Sequence, residues 1–230
     1  MLKFDTVGIT QGTFRLAANW EVAAGRKVAL IGPSGAGKST LLGALGGFIP
    51  LERGRILWSG TDISDERPGA RPVAMLFQDN NLFPHLTVAQ NVGLGLRPGL
   101  RLTPQEHDKV AAAIARVGLG GFATRKPGAL SGGQQSRAAL ARVLLQQKPI
   151  LALDEPFAAL GPALRNEMLD LVASLATETG ATLLMVTHAP EDVTRIADDV
   201  IFVEGGQAHP PVAADALLKN PPPALRAYLG

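Results

Sequence analysis

The sequence has 230 residues, with 22 Lys and Arg against 20 Asp and Glu, so the formal net charge is +2. It contains no cysteine, which excludes a disulfide framework, a zinc ribbon and a cysteine nucleophile, and fits a reducing compartment. Apolar residues make up 46%, yet no run approaches the roughly 18–20 of a membrane span, and so small a charge excess forms no basic stripe for nucleic acid, which is not expected as a partner.

A chain of this length reads as one domain able to bury a core without staples. Residues 1–10 predict a first strand and not a signal peptide, because Lys3 and Asp5 interrupt a short apolar alternation. Residues 28–31 form an apolar strand, and 38–46 a helix. Between Gly54 and Gly60 the β-rich Arg55-Ile56-Leu57-Trp58 predicts a small antiparallel excursion within 49–60. A strand over 73–77 follows. From about Asp79 to Gln147 helices dominate, with predicted helices over 104–117 and 132–147. Strands over 150–153, 182–187 and 200–203 then alternate with helices over 162–179 and 190–197. The five prolines of 210–230 predict a short docking tail. This rhythm specifies an α/β fold around a largely parallel sheet, with the core at about 1–80 and 148–230 and a helical insert at about 81–147.

Three segments carry chemistry. After the strand over 28–31 comes Gly32-Pro33-Ser34-Gly35-Ala36-Gly37-Lys38-Ser39-Thr40, a GxxxxGK[ST] phosphate loop between strand and helix. Its glycines let successive N–H groups face phosphate oxygens at a helix N-terminus. Lys38 is placed to bridge β- and γ-phosphates of ATP, the Ser39 hydroxyl to ligate Mg²⁺, and Thr40 to fill the helix start. Next, the apolar run Ile150-Leu151-Ala152-Leu153 ends in Asp154 and Glu155. A strand buried on both faces belongs in a parallel sheet, whose carboxyl ends gather ligands. Asp154 is the Mg²⁺-holding acid, and Glu155 the general base that polarises the attacking water. The third is Leu130-Ser131-Gly132-Gly133-Gln134, with Ser131 as N-cap and two glycines exposing backbone N–H groups at a helix start.

That third segment resembles the LSGGQ signature of ATP-binding cassette (ABC) ATPases. The resemblance implies a RecA-like P-loop core with an antiparallel β subdomain and a helical subdomain. It also implies a head-to-tail dimer, in which Ser131, Gly132, Gly133 and Gln134 of one copy bind the ATP held by the P-loop of the other. Two more positions match the family. Gln78 corresponds to the Q-loop glutamine, which reaches Mg²⁺ or the attacking water, and His188 to the switch histidine that bonds the γ-phosphate.

The family pattern is broken at two places. Where the D-loop normally reads Ser-Ala-Leu-Asp, this chain has Ala158-Ala159-Leu160-Gly161, which implies weaker coupling between the two ATP sites. Gln11 stands where an adenine-stacking aromatic is expected, with Phe14 the nearest aromatic.

Residues 75–96, with Pro98-Gly99-Leu100, are similar to the thiamine-importer ATPases of Gram-negative bacteria. That likeness implies a subunit on the cytoplasmic face of the inner membrane, peripheral to transmembrane permease subunits and served indirectly by a periplasmic solute-binding protein. Leu82, Phe83 and Leu86 read singly as core positions, with permease contact as the alternative. An importer ATPase for iron or a phosphonate, and a soluble ABC ATPase acting on nucleic acid or the ribosome, are the other readings of the same motifs.

Overall fold

The computed structural model describes residues 1–219 together with Pro221 and Arg226. The carboxyl-terminal part of the predicted docking tail lies outside the described residues. Five parallel strands form the centre of the sheet: β3 (Lys27–Ile31), β6 (Val73–Leu76), β7 (Ile150–Asp154), β8 (Thr182–Val186) and β9 (Asp199–Glu204), in the order β9-β3-β8-β7-β6. Every residue of β7 and β8 is buried, as their apolar runs 150–153 and 183–186 require of strands covered on both faces.

Register aligns the carboxyl ends of these strands. Leu76 pairs with Leu153, Asp154 with Val186, and Leu30 with the same Val186. The residues that follow β3, β6, β7 and β8 therefore emerge along one edge of the sheet, whatever their distance in sequence.

An antiparallel layer continues from β9. Strands β1 (Leu2–Gln11) and β2 (Phe14–Val22) pair with each other, and β1 also pairs with β4 (Arg53–Trp58), whose neighbour is the two-residue β5 (Thr61–Asp62). A short β10 (Gln207–Ala208) joins β2 to β9, and β11 (Val212–Ala213) pairs with β9. The predicted strand over 1–10 and the antiparallel excursion are present. β2 was not anticipated, although Leu16, Ala18, Trp20 and Val22 alternate buried with more exposed neighbours, the period-2 mark of a half-buried strand.

Helix α1 (Lys38–Leu45) lies on one face of the sheet, with Leu41, Leu42 and Leu45 fully buried. Each such side chain contributes about 1.5–3 kcal/mol of burial. Between β6 and β7 come α2 (Val88–Gly93), α3 (Pro104–Arg116) and α4 (Gly132–Leu145). Their apolar faces share a core cluster with the other face of the sheet and with α5 (Pro162–Thr179). Thr87 and Thr103 start α2 and α3 with reciprocal capping boxes to Gln90 and Glu106. Helices α6 (Pro190–Ile196) and α7 (Ala214–Lys219) complete the fold.

One expectation is corrected. Leu82 packs against the core cluster, but Phe83 is 47% exposed and is not a core residue. The backbone of Phe83 is instead tied to the buried Asn91, whose side chain accepts from Phe83 N at 2.7 Å and donates to the carbonyls of Phe83, Leu86 and Thr87. The loop is satisfied by that amide, which leaves the ring facing outward.

Candidate functional site

The chain leaves β3 at Gly32, whose φ of +147° and position against the Val203 carbonyl leave no space for a Cβ, which would lie 2.0 Å from that oxygen. Gly37, at φ +105°, is the N-cap of α1. Between them Pro33, Ser34, Gly35 and Ala36 make the turn, closed by a bond from Ala36 N to the Pro33 carbonyl. Lys38 is buried, and its Nζ donates to the carbonyls of Gly32 and Pro33, each at 2.8 Å. Burial pushes its ammonium below the ordinary lysine value, and the facing carboxylates of Glu155 and Asp154 oppose that shift.

A cavity of about 320 Å³ opens over this loop. Ser34, Gly35, Gly37, Lys38, Ser39 and Thr40 line it, together with Gln78, Glu155, His188, Gln11 and Phe14. Thus residues 11, 38, 78, 155 and 188 converge as the strand order dictates. Phe14, at the start of the unanticipated β2, supplies an aromatic ring beside the loop, and Gln11 accepts a 3.3 Å bond from the Thr40 hydroxyl.

Ser39 Oγ donates to Asp154 Oδ1 at 3.0 Å. Burial pushes the Asp154 carboxyl above its usual range, countered first by this hydroxyl. Glu155 follows at φ +45°, in the left-handed region that costs a non-glycine residue about 1–3 kcal/mol. That turn carries its carboxylate to His188, with Oε1 at 2.7 Å from Nε2. Oxygen donors of a hydroxyl, a carboxylate and the nearby Gln78 amide are the chemistry that suits Mg²⁺, which takes few protein ligands when it also holds phosphates and water. Among the described residues no cluster of three or more His, Cys, Asp or Glu forms a separate metal centre.

Ser131, Gly132, Gly133 and Gln134 do not line this cavity. Ser131 caps α4, its Oγ accepting from Gln134 N at 3.3 Å while Gln134 Oε1 accepts from Ser131 N at 2.9 Å. Ser131 and Gly132 are exposed at the positive end of the helix dipole. The chain therefore carries two helix starts whose positive dipole ends suit an anion and that face different surroundings.

A phosphate loop after β3, an acid pair at the end of β7 two strands away along the same sheet edge, and a second glycine-opened helix define a P-loop nucleotide-hydrolysing cassette. The family model described as ABC transporter matches residues 17–158, and the chain belongs to that family. It is an ATP-binding, ATP-hydrolysing transporter subunit. The chain is 62% identical over 230 residues to the "Thiamine import ATP-binding protein ThiQ" of Ruegeria sp. (strain TM1040), covering all of both chains. It is 48% identical over 230 residues to the protein of the same name from Mesorhizobium japonicum, covering all of this chain and 91% of that one. Among solved structures it resembles the dimeric post-hydrolysis state of the ATP-binding cassette MJ0796 bound to ADP and Pi, with a TM-score of 0.84, 29% identity, and coverage of 93% of this chain and 99% of that one. A nucleotide-free cassette from an ABC transporter shares the fold at a TM-score of 0.88.

Proposed function

We propose that this chain is the motor of a thiamine importer, hydrolysing ATP at its P-loop cavity to drive a separate membrane permease. The observation that carries the hydrolytic part is the convergence of Lys38, Ser39, Gln78, Glu155 and His188 on one cavity. The cargo rests on similarity to thiamine import proteins across the whole chain. Among the described residues no helix is long and apolar enough to cross a membrane, which is compatible with a pore supplied by other chains.

The P-loop amides and Lys38 bind the triphosphate, and Phe14 offers a surface for the adenine. Ser39, Asp154 and Gln78 are the residues that would hold Mg²⁺, which when bound neutralises charge on the β- and γ-phosphates. Glu155 accepts a proton from the attacking water. His188 Nε2, within bonding distance of that carboxylate, orients it and is placed to reach the γ-phosphate. The Ser131–Gly133 helix start completes the site of a second copy, giving two ATP sites per dimer; the dimeric state of the similar MJ0796 cassette supports the pairing of two copies. Closure on ATP and reopening after hydrolysis then move the permease, with the chain held at the inner face of the membrane.

Uptake of radiolabelled thiamine in cells carrying the native chain or Glu155→Gln, with ATPase activity of the purified chain, tests this reading. Loss of both in the variant is expected. Thiamine uptake that survives deletion of the chain overturns the cargo assignment, and normal turnover in Glu155→Gln overturns the base.

A further inference from the structure

His188 lies between two residues that are held in place. Thr187 N donates to the Leu30 carbonyl at 3.2 Å, extending the β8–β3 pairing by one step. Thr187 Oγ1 accepts from Ala189 N at 3.1 Å and donates to Asp192 Oδ2 at 2.5 Å. Asp192 N in turn donates to the Ala189 carbonyl at 3.1 Å. The same carboxylate oxygen of Asp192 accepts from Arg165 Nη2 at 2.5 Å, and that nitrogen is also 3.4 Å from Thr187 Oγ1. Thr187 and Asp192 are only 3% and 4% exposed, so the carboxylate and hydroxyl of this triad are screened from water, which strengthens the charge-assisted bond from the half-buried Arg165.

Arg165 stands in the first turn of α5, directly after the Ala158–Gly161 segment that follows Glu155. The triad therefore joins the chain leaving the general base to the chain carrying the histidine. Glu155, Ala158, Arg165, Thr187, His188 and Asp192 line one cleft of about 310 Å³, and Glu155 and His188 line the ATP cavity as well. Arg165 Nε is buried without a hydrogen-bond partner among the described residues, a cost that the arrangement bears in order to aim its other nitrogens.

We infer that Arg165, Asp192 and Thr187 are positioning residues that fix His188 against Glu155 and transmit movement of the 158–161 segment to it. The inference rests on the roles of Glu155 and His188 given above. In a chain whose 158–161 segment lacks polar side chains, this buried link couples that segment to the histidine without them. Asp192 acts through Thr187 on the backbone at both sides of His188 and touches no substrate.

A mutant cycle under single-turnover conditions, with the full-length chain in excess over ATP, tests this. Asp192→Asn is expected to slow hydrolysis about 10–100-fold, the cost of sub-ångström misplacement, with ATP affinity within about twofold of native. In a His188→Ala background the same substitution is expected to change the rate by less than about twofold, because its effect runs through the missing ring. Thr187→Val, which keeps the side-chain shape, is expected to show the same pattern and serves where Asp192→Asn fails to fold. Equal fold-losses in both backgrounds, or a native rate in Asp192→Asn, overturn the inference while leaving His188 in its role. A native rate in His188→Ala overturns both.

Discussion

Asp154 shows how the site trades stability for chemistry. The residue is 6% exposed and burial raises its pKa, so between the unfolded and folded values the folded state holds a proton there that the unfolded state has already lost. Over the window between the unfolded and the raised folded value, stability therefore falls as pH rises, and the cost is fully present above the folded value. Asp154→Asn should raise the unfolding temperature of the nucleotide-free chain at neutral pH, with the gain shrinking as pH is lowered through the carboxylate range. Differential scanning calorimetry across that range checks it. A variant less stable than native at neutral pH contradicts the assignment of burial as the dominant cause. The same substitution removes the acid that suits Mg²⁺, so the gain in stability should come with loss of hydrolysis.

The individual motif residues were legible in the sequence because each motif is local. Lys38 follows its glycines, Asp154 and Glu155 follow their strand, and Ser131 precedes its helix. The contact between Glu155 and His188 spans 33 positions and exists only because β7 and β8 are neighbours, which no local pattern reveals. The Thr187–Asp192–Arg165 triad was invisible for the same reason. Phe14 was in view, but its approach to the P-loop depends on β2.

At the scale of elements, the turn after Gln78 is held by the helix that the signature opens. Asn80 and Asn81 both have positive φ, at 59° and 46°. Their carbonyls accept from Arg142 of α4, with Nη2 to Asn80 O at 2.9 Å and Nη1 to Asn81 O at 2.7 Å. Desolvation pushes Arg142 below the usual arginine value, the expense of placing that charge between two elements. Arg142→Met keeps the apolar stem but removes both bonds. It should cost about 1.5–3 kcal/mol, the range for bonds to a charged donor, as a lower midpoint in urea unfolding. An unchanged midpoint would show that the turn holds itself.

The start of α5 makes the opposite case. Gly161 has β-region φ and ψ, gives no side-chain cap, and has no atom within 4 Å of where a Cβ would lie. Gly161→Asp should therefore fit without strain and cap the helix, gaining a few tenths to about 1 kcal/mol. Any accompanying rise in cooperativity of ATP hydrolysis would report the coupling that the sequence lacks at this position. Unchanged cooperativity in Gly161→Asp combined with Ala158→Ser argues that the segment carries none. Among elements, the apolar strands were read with near-correct bounds, while β2 was missed because its signal is alternation and not a run. The two-residue β10 and β11 are too short for any periodicity.

For the molecule as a whole, strand order explains the function. Four adjacent parallel strands deliver the P-loop, Gln78, the acid pair and His188 to one edge, while the signature helix start lies outside the cavity they form. On the proposed reading, a chain built this way holds half of each hydrolytic site, and a second copy supplies the other half. The most direct test is sedimentation of Glu155→Gln with and without ATP. A dimer that forms on adding ATP and is lost when Gly133→Asp is introduced into the same variant is the predicted result. A monomer at saturating ATP, or a dimer indifferent to Gly133→Asp, would contradict it.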